Sequence, residues 1–309
     1  MGRTNKPRAG SLQFWPRKRA KRIYPRVRSH ADVKISGFAG YKVGMTHIIM
    51  SDNREHSQTK GQKISSPVTI LECPPLKPLS LRFYKKTVYG LKAITEIFAK
   101  NLNKELARKI TLPKESKKEI PKEYDEIRLL VYTQPNLTGL AKKKPEIFEL
   151  YLDMPLEEAQ KMLEKDLKVT EIFKPGQYVD IHAVTIGKGL QGPVKRFGIQ
   201  LKSHKSEKKR RAPGNLGAWT PKKVSHTVPQ KGQMGFHTRT DYHKQIIAIN
   251  SDPTQINSKS GYKHYGILKN EYVLLRGSTP GPSKRLIRFN FTVRNKHDVE
   301  APEIAYVSK

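Results

Sequence analysis

Gly187-Lys188-Gly189-Leu190-Gln191-Gly192 packs three glycines and a lysine into six residues, a composition that can cradle phosphate. The Walker pattern fails: it needs a glycine five places before Gly187, where His182 stands, and Ser or Thr after Lys188, where Gly189 stands. A dinucleotide fingerprint finds its third small residue in Gly192, but a helix should follow and Pro193 comes at once. The better account is a strand end turning into a basic loop, where glycine lets the backbone approach RNA. The histidines, ten in all, contain no His-Glu-x-x-His set, and His237 and His243 merely flank Thr238-Arg239-Thr240-Asp241-Tyr242. No metal, cofactor or small-molecule substrate is expected, and no catalytic acid–base pair. The single cysteine, Cys73, beside Pro74-Pro75, reads as a buried strand end and excludes both disulfides and a Cys-based zinc site.

The most informative stretch runs over 202–244. It opens with Lys202, Lys205, Lys208, Lys209, Arg210 and Arg211, passes Pro213-Gly214-Asn215-Leu216-Gly217-Ala218-Trp219-Thr220-Pro221, and returns through Lys222, Lys223, Lys231, His237 and Arg239. A structureless loop of this size within a domain is expected only where it is functional or ordered by a partner. Trp219 sits among small residues, so the stretch reads as a basic finger carrying an aromatic into nucleic acid. The dull alternative is a local plug with Leu216 and Val224. Lys188, Lys195 and Arg196 extend the same cationic surface. Near the start of the chain, Ser11-Leu12-Gln13-Phe14-Trp15-Pro16 leads into Arg17, Lys18, Arg19, Lys21 and Arg22. Pro7, Pro16 and Pro25 break any long helix there. Cations can neutralise phosphate while Phe14, Trp15 or Tyr24 stacks on a base. Aromatics anchored on the protein itself would look the same.

The net charge is +33, from 60 Lys+Arg against 27 Asp+Glu. Residues 1–34 hold eleven Lys/Arg and one acid, residues 184–250 hold fourteen and two, while 114–173 carries eleven bases and thirteen acids. Self-repulsion in the two basic segments predicts a polyanionic partner, and their poverty in apolar residues predicts that they gain order against phosphate. No apolar run is long enough to span a bilayer. The basic N-terminus lacks a secretory h-region, and Lys6 stands where a myristoylation motif needs Ser or Thr. These features together predict a soluble protein of a reduced intracellular compartment.

The elements that must hold these segments are mainly β. Stretches rich in Val, Ile, Tyr, Phe and Thr at 33–49, 67–71, 79–89, 126–132, 146–152, 178–186, 245–249, 271–275 and 286–293 read as strands. Alternation in the last predicts one wet and one buried face. Helices are expected over 91–109 and 154–167, the second with Pro155, Glu157 and Glu158 in its first turn. The expected layout is a basic extension at 1–32, a split β domain at 33–90 and 173–309, an α+β insert at 91–172, and a basic central loop at 187–244.

Phe173, Asp180, Ala183, Thr185, Gly187-Lys188-Gly189, Gly192 and Arg196 match the signature of the universal large-subunit ribosomal protein L3 family. Gly40-Tyr41-Lys42-Val43-Gly44-Met45-Thr46-His47 resembles its opening strand. The stretches around Trp219 and around Gly232-Gln233-Met234-Gly235-Phe236-His237 resemble the arms of its long loop, and the N-terminal tail resembles the archaeal and eukaryotic branch. The resemblance covers about 7–293. It implies a six-stranded translation-factor-like β-barrel with an inserted subdomain and two long RNA-binding extensions. It further implies binding to large-subunit rRNA early in assembly, neighbouring large-subunit proteins as partners, a cytoplasmic ribosomal location, and Trp219 near the peptidyl transferase centre. A histidine modified in eukaryotic relatives falls on Glu207, so that modification does not carry over.

The expectation is a structural, non-enzymatic rRNA-binding protein. An RNA-modifying or RNA-processing enzyme is the alternative, and a DNA-compacting protein a third. The first should travel with large ribosomal subunits, the second should turn over a substrate, and the third should accept duplex DNA.

Overall fold

The chain's structure, a computed structural model, describes residues 10–28, 33–112, 120–205, 208–294 and 300–308. Arg3, Lys6, Arg8, Glu207 and most of the 113–123 loop lie outside them. The chain is mainly β. In order, the strands are β1 (Gly37–Ser51), β2 (Lys63–Glu72), β3 (Lys77–Thr87), β4 (Gly90–Phe98), β5 (Glu126–Tyr132), β6 (Ile147–Leu152), β7 (Tyr178–Val184), β8 (Gly187–Gln191), β9 (Gly232–Gly235), β10 (Thr238–Asn250), β11 (Tyr272–Arg276), β12 (Leu286–Phe291) and β13 (Ile304–Val307). Among the described residues three short α-helices join them: α1 (Leu156–Lys161), α2 (Val169–Ile172) and α3 (Pro193–Phe197). Two compact units result: the described part of Met1–Arg22 with Val184–Thr238, and Ile23–Ala183 with Arg239–Lys309.

The larger unit holds two sheets. One runs β12-β7-β10-β11-β2-β1-β13, and β1 also pairs with β12, from Gly37↔Asn290 to Tyr41↔Leu286. β1 thus passes from β12 to β2, which takes over the pairing from Tyr41 to Ser51; its first seven residues are buried and the rest alternate. Phe38, Tyr41, Ile70, Leu71, Phe173, Ile181, Tyr272 and Phe289 form the core. Burying each such side chain contributes roughly 1.5–3 kcal/mol. Phe173 stacks on Phe291 at 4.4 Å. Asp180, also buried, accepts from the backbone N–H of His243 and of Val293. Cys73 is buried, and desolvation raises its thiol pKa well above the ordinary value.

The other sheet runs β4-β3-β5-β6. Here the helix expected over 91–109 is corrected. Residues 90–98 form a strand paired with β3 from Thr87↔Gly90 to Ser80↔Phe98, leaving only a 3-10 turn at Lys104–Arg108. Leu, Lys and Ala favour helix locally, but Ile94, Thr95, Ile97 and Phe98 suit a pleated surface and the pairing overrides the local preference. The helix expected over 154–167 shrinks to α1, with Pro155 as its N-cap and Glu157 and Glu158 in its first turn. Beyond it, Leu167 exchanges backbone hydrogen bonds with Leu76.

The wet face expected on the last long strand is a second correction. Every residue from Leu286 to Asn290 is buried. Arg288 lies over the Phe148 ring at 4.4 Å and donates to the carbonyls of Glu149 (2.8 Å) and Pro25 (3.4 Å). Burial lowers its pKa to about 10. Tyr24 is likewise buried and donates its hydroxyl to Ile147 O at 2.8 Å, so residues 23–28 belong to this unit.

Candidate nucleic-acid interface

In the smaller unit, β8 and β9 form an antiparallel pair, from Gly187↔Gly235 to Gln191↔Gly232. Thr185 opens it: its N–H donates to His237 O at 2.9 Å, and its Oγ1 accepts from His237 N–H at 3.1 Å. Gly235 has φ +70°, and a Cβ there would stand 2.0 Å from Ile186 O, so no other residue fits. α3 follows Gly192, with Pro193 at its first position. The proline that argued against a helix on sequence grounds starts one instead, because its missing N–H would be unsatisfied there anyway.

Arg196, last residue of the matched signature, donates from Nε to Gln233 O (3.0 Å), from Nη1 to Gln230 O (3.0 Å) and from Nη2 to Arg17 O (3.3 Å). Its five-donor fork thus ties the returning arm to the N-terminal segment. Burial and the nearby Arg17 lower its pKa. Arg17 reciprocates, donating from Nη1 to Arg196 O at 2.7 Å and lying 4.2 Å over the Phe197 ring. Trp15 stacks on the same ring, and His226 meets the indole edge-on. His237 is buried, with Nδ1 2.7 Å from Lys18 O. A carbonyl only accepts, so Nδ1 carries the proton. Ala20 N–H donates to Phe236 O at 2.8 Å, and Arg19 lies 5.3 Å over the Phe236 ring.

These contacts separate the expected site residues into two groups. Arg17, Arg196 and His237 are engaged within the unit, and Lys202 and Arg239 are half-buried, Arg239 in the larger unit. Lys18, Arg19, Lys21, Arg22, Lys188, Lys195, Lys205, Lys208, Lys209, Arg210, Arg211, Lys222, Lys223 and Lys231 are exposed. The only acid in 10–22 and 184–238 is Glu207, outside the described residues, so no described carboxylate of this unit neutralises them. Trp219 is 82% exposed with Lys222 Nζ 5.1 Å from its ring, and Leu216 and Val224 are exposed too. The plug reading is not what forms.

Phe197, Phe236 and His226 were not singled out by sequence reasoning, and for Trp15 base stacking and anchoring on the protein itself looked the same. For Phe197 and Phe236 the signal was an aromatic directly after Arg196 and Gly235; His226, between Ser225 and Thr227, gave none. Among the described residues no group of three or more His, Cys, Asp or Glu could hold a metal ion, and no helix is long and apolar enough to cross a membrane.

The family model described as Ribosomal protein L3 matches residues 1–120 and 111–308. The chain belongs to the ribosomal protein L3 family. Among L3 relatives, the large ribosomal subunit protein uL3 of Archaeoglobus fulgidus is 45% identical, covering 98% of this chain and 97% of that one. The uL3 proteins of Methanothrix harundinacea and Methanosphaera stadtmanae are each 45% identical over 100% of this chain and 98% of theirs. The L3 signature residues divide between two tasks. Phe173 and Asp180 pack the larger unit, while Thr185, the glycines and Arg196 shape the basic pair of strands in the smaller one.

Proposed function

We propose that this L3 protein is a structural constituent of the large ribosomal subunit in the cytoplasm and works by binding large-subunit rRNA. The observation that carries the reading is the surface of fourteen exposed cations on a hydrogen-bonded frame without a described carboxylate among them. Each phosphate contact releases counterion, so affinity gains about 0.7–0.9 in log–log salt slope per contact. Exposed Trp219 supplies a stacking face beside Lys222, and the family resemblance implies a position near the peptidyl transferase centre. Lys and Arg contacts give affinity, and RNA shape with unstacked bases gives specificity. Neighbouring large-subunit proteins are the further partners. Family membership speaks for a structural role and against the enzyme alternative.

The strand ring β12-β7-β10-β11-β2-β1, returning to β12, supports the reading of a six-stranded barrel of translation-factor type. The β4-β3-β5-β6 sheet with α1 and α2 then corresponds to the inserted subdomain. We place its start at β3 rather than residue 91, since β3 pairs within that sheet. Residues 1–32 and 187–244 remain the two basic extensions, with 23–28 seated on the larger unit.

Sedimentation tests the function. The chain should stay with large subunits in moderate salt and leave only in high salt; free protein at low salt would overturn the reading.

A further inference from the structure

The β3–β4 hairpin carries two large side chains at its tip. The register Lys85↔Lys92, Lys86↔Leu91, Thr87↔Gly90 leaves Val88-Tyr89 as a two-residue loop. The left-handed backbone position falls on Gly90, at φ +107°, directly after this loop, so positions 88 and 89 accept ordinary residues. Here a β-branched residue and an aromatic occupy them, both fully exposed. All ten residues from 85 to 94 are exposed, so neither face of this ribbon is covered. Large side chains held fully in water with no packing gain leave this tip open to a partner.

The charges point the same way. No acid lies between Arg82 and Glu96, while Lys85, Lys86 and Lys92 flank the tip. Lys85 and Lys92 stand directly opposite on the ladder, where like charges repel. Glu123 takes Lys85 at 2.9 Å and the Asp125 carboxylate accepts from the backbone N–H of Lys86, while the ammonium groups of Lys86 and Lys92 form no salt bridge among the described residues. A protein partner would select against lysine around its contact core. An aromatic platform ringed by ammonium groups fits a nucleotide, with the base on the ring and phosphates on the lysines.

We propose that Tyr89, flanked by Lys86 and Lys92, is a separate RNA-docking tip that stacks on an unpaired base of large-subunit rRNA. It lies on the larger unit and shares no residue with the basic pair of strands. The inference rests on the ribosomal reading above.

The experiment uses the full-length chain. A photo-reactive phenylalanine analogue at position 89 is crosslinked in assembled large subunits, and Tyr89→Ala and Lys86→Ala/Lys92→Ala are titrated against a large-subunit rRNA transcript. Tyr89→Ala should bind roughly 5- to 100-fold more weakly. The double variant should lower the log–log salt slope by about 1.4. The crosslink should fall on rRNA. A crosslink to protein alone, no crosslink, or wild-type affinity and slope in both variants would overturn the inference while the ribosomal reading stands. Failure of the unaltered chain to enter the particle would instead sink that reading, and the docking tip with it. Because the three side chains are exposed, the variants should unfold at the wild-type temperature.

Discussion

The indole of Trp15 lies on the ring of Phe197, with centroids 5.8 Å apart and planes 22° from parallel. With the Arg17 guanidinium on the same ring, this contact holds the N-terminal segment to the last residue of α3. A basic stretch expected to gain order against phosphate is thus partly ordered by its own chain.

Amide exchange in the free protein should show that division. The Ala20 N–H, donated to Phe236 O, should be protected, whereas amides over 214–224 exchange quickly. Trp15→Ala removes an aromatic pair and a cation–π contact, each worth about 0.5–1.5 kcal/mol. Exchange at Ala20 should then quicken by about tenfold. An unchanged rate would mean that the stack holds nothing.

Two aromatic substitutions should behave oppositely. Trp219→Ala should leave stability within about 0.5 kcal/mol and impair subunit maturation or tRNA accommodation. Tyr265 donates its hydroxyl to the fully buried carboxylate of Glu72, which also accepts from Lys269 N–H, Asn270 N–H and Asn270 Nδ2. Burial and that carboxylate push the Tyr265 pKa far up. Tyr265→Phe should cost about 1.5–3 kcal/mol, the worth of a hydrogen bond to a charged group. Denaturant unfolding of the two variants reads the contrast.

Arg288 offers a test of a buried cation held at its two Nη atoms by carbonyls. Arg288→Ala orphans Pro25 O and Glu149 O and opens a cavity, a loss of about 2–4 kcal/mol. Arg288→Met keeps most of the volume and should cost less. Equal losses in chemical denaturation would show that packing plays no part.

Asp52 predicts a pH dependence. Its carboxylate accepts from Arg54 Nε and Nη2 at 2.8 Å and from Ser57 Oγ and Thr59 Oγ1 at 2.6 Å. The Arg54 guanidinium first, then the two hydroxyls, hold its carboxyl well below the usual carboxylate range. The folded pKa lies under the unfolded value of about 4, so the stabilisation is complete above pH 4 and is lost as pH falls through the lower folded value. A carboxyl NMR titration should find Asp52 still ionised when exposed carboxylates are half protonated. Asp52→Asn should remove this part of the acid dependence.

Composition and spacing alone determined the chemistry of the partner. Charge is a property of residues whatever their neighbours, and 10–22 with 184–238 hold a single acid however they fold. The mainly β character was equally legible, because β-branched and aromatic runs bounded by Gly and Pro are local signals. Only the tertiary structure decided that 90–98 is a strand, since β3 supplies the pairing from outside the segment. The same holds for Arg288 and Trp15. One reads as a wet-face cation and the other as either a base-stacking or a self-anchored aromatic until Phe148 and Phe197, more than a hundred residues away, cover them. Burial depends on which distant surfaces meet, and no window along the chain contains that information.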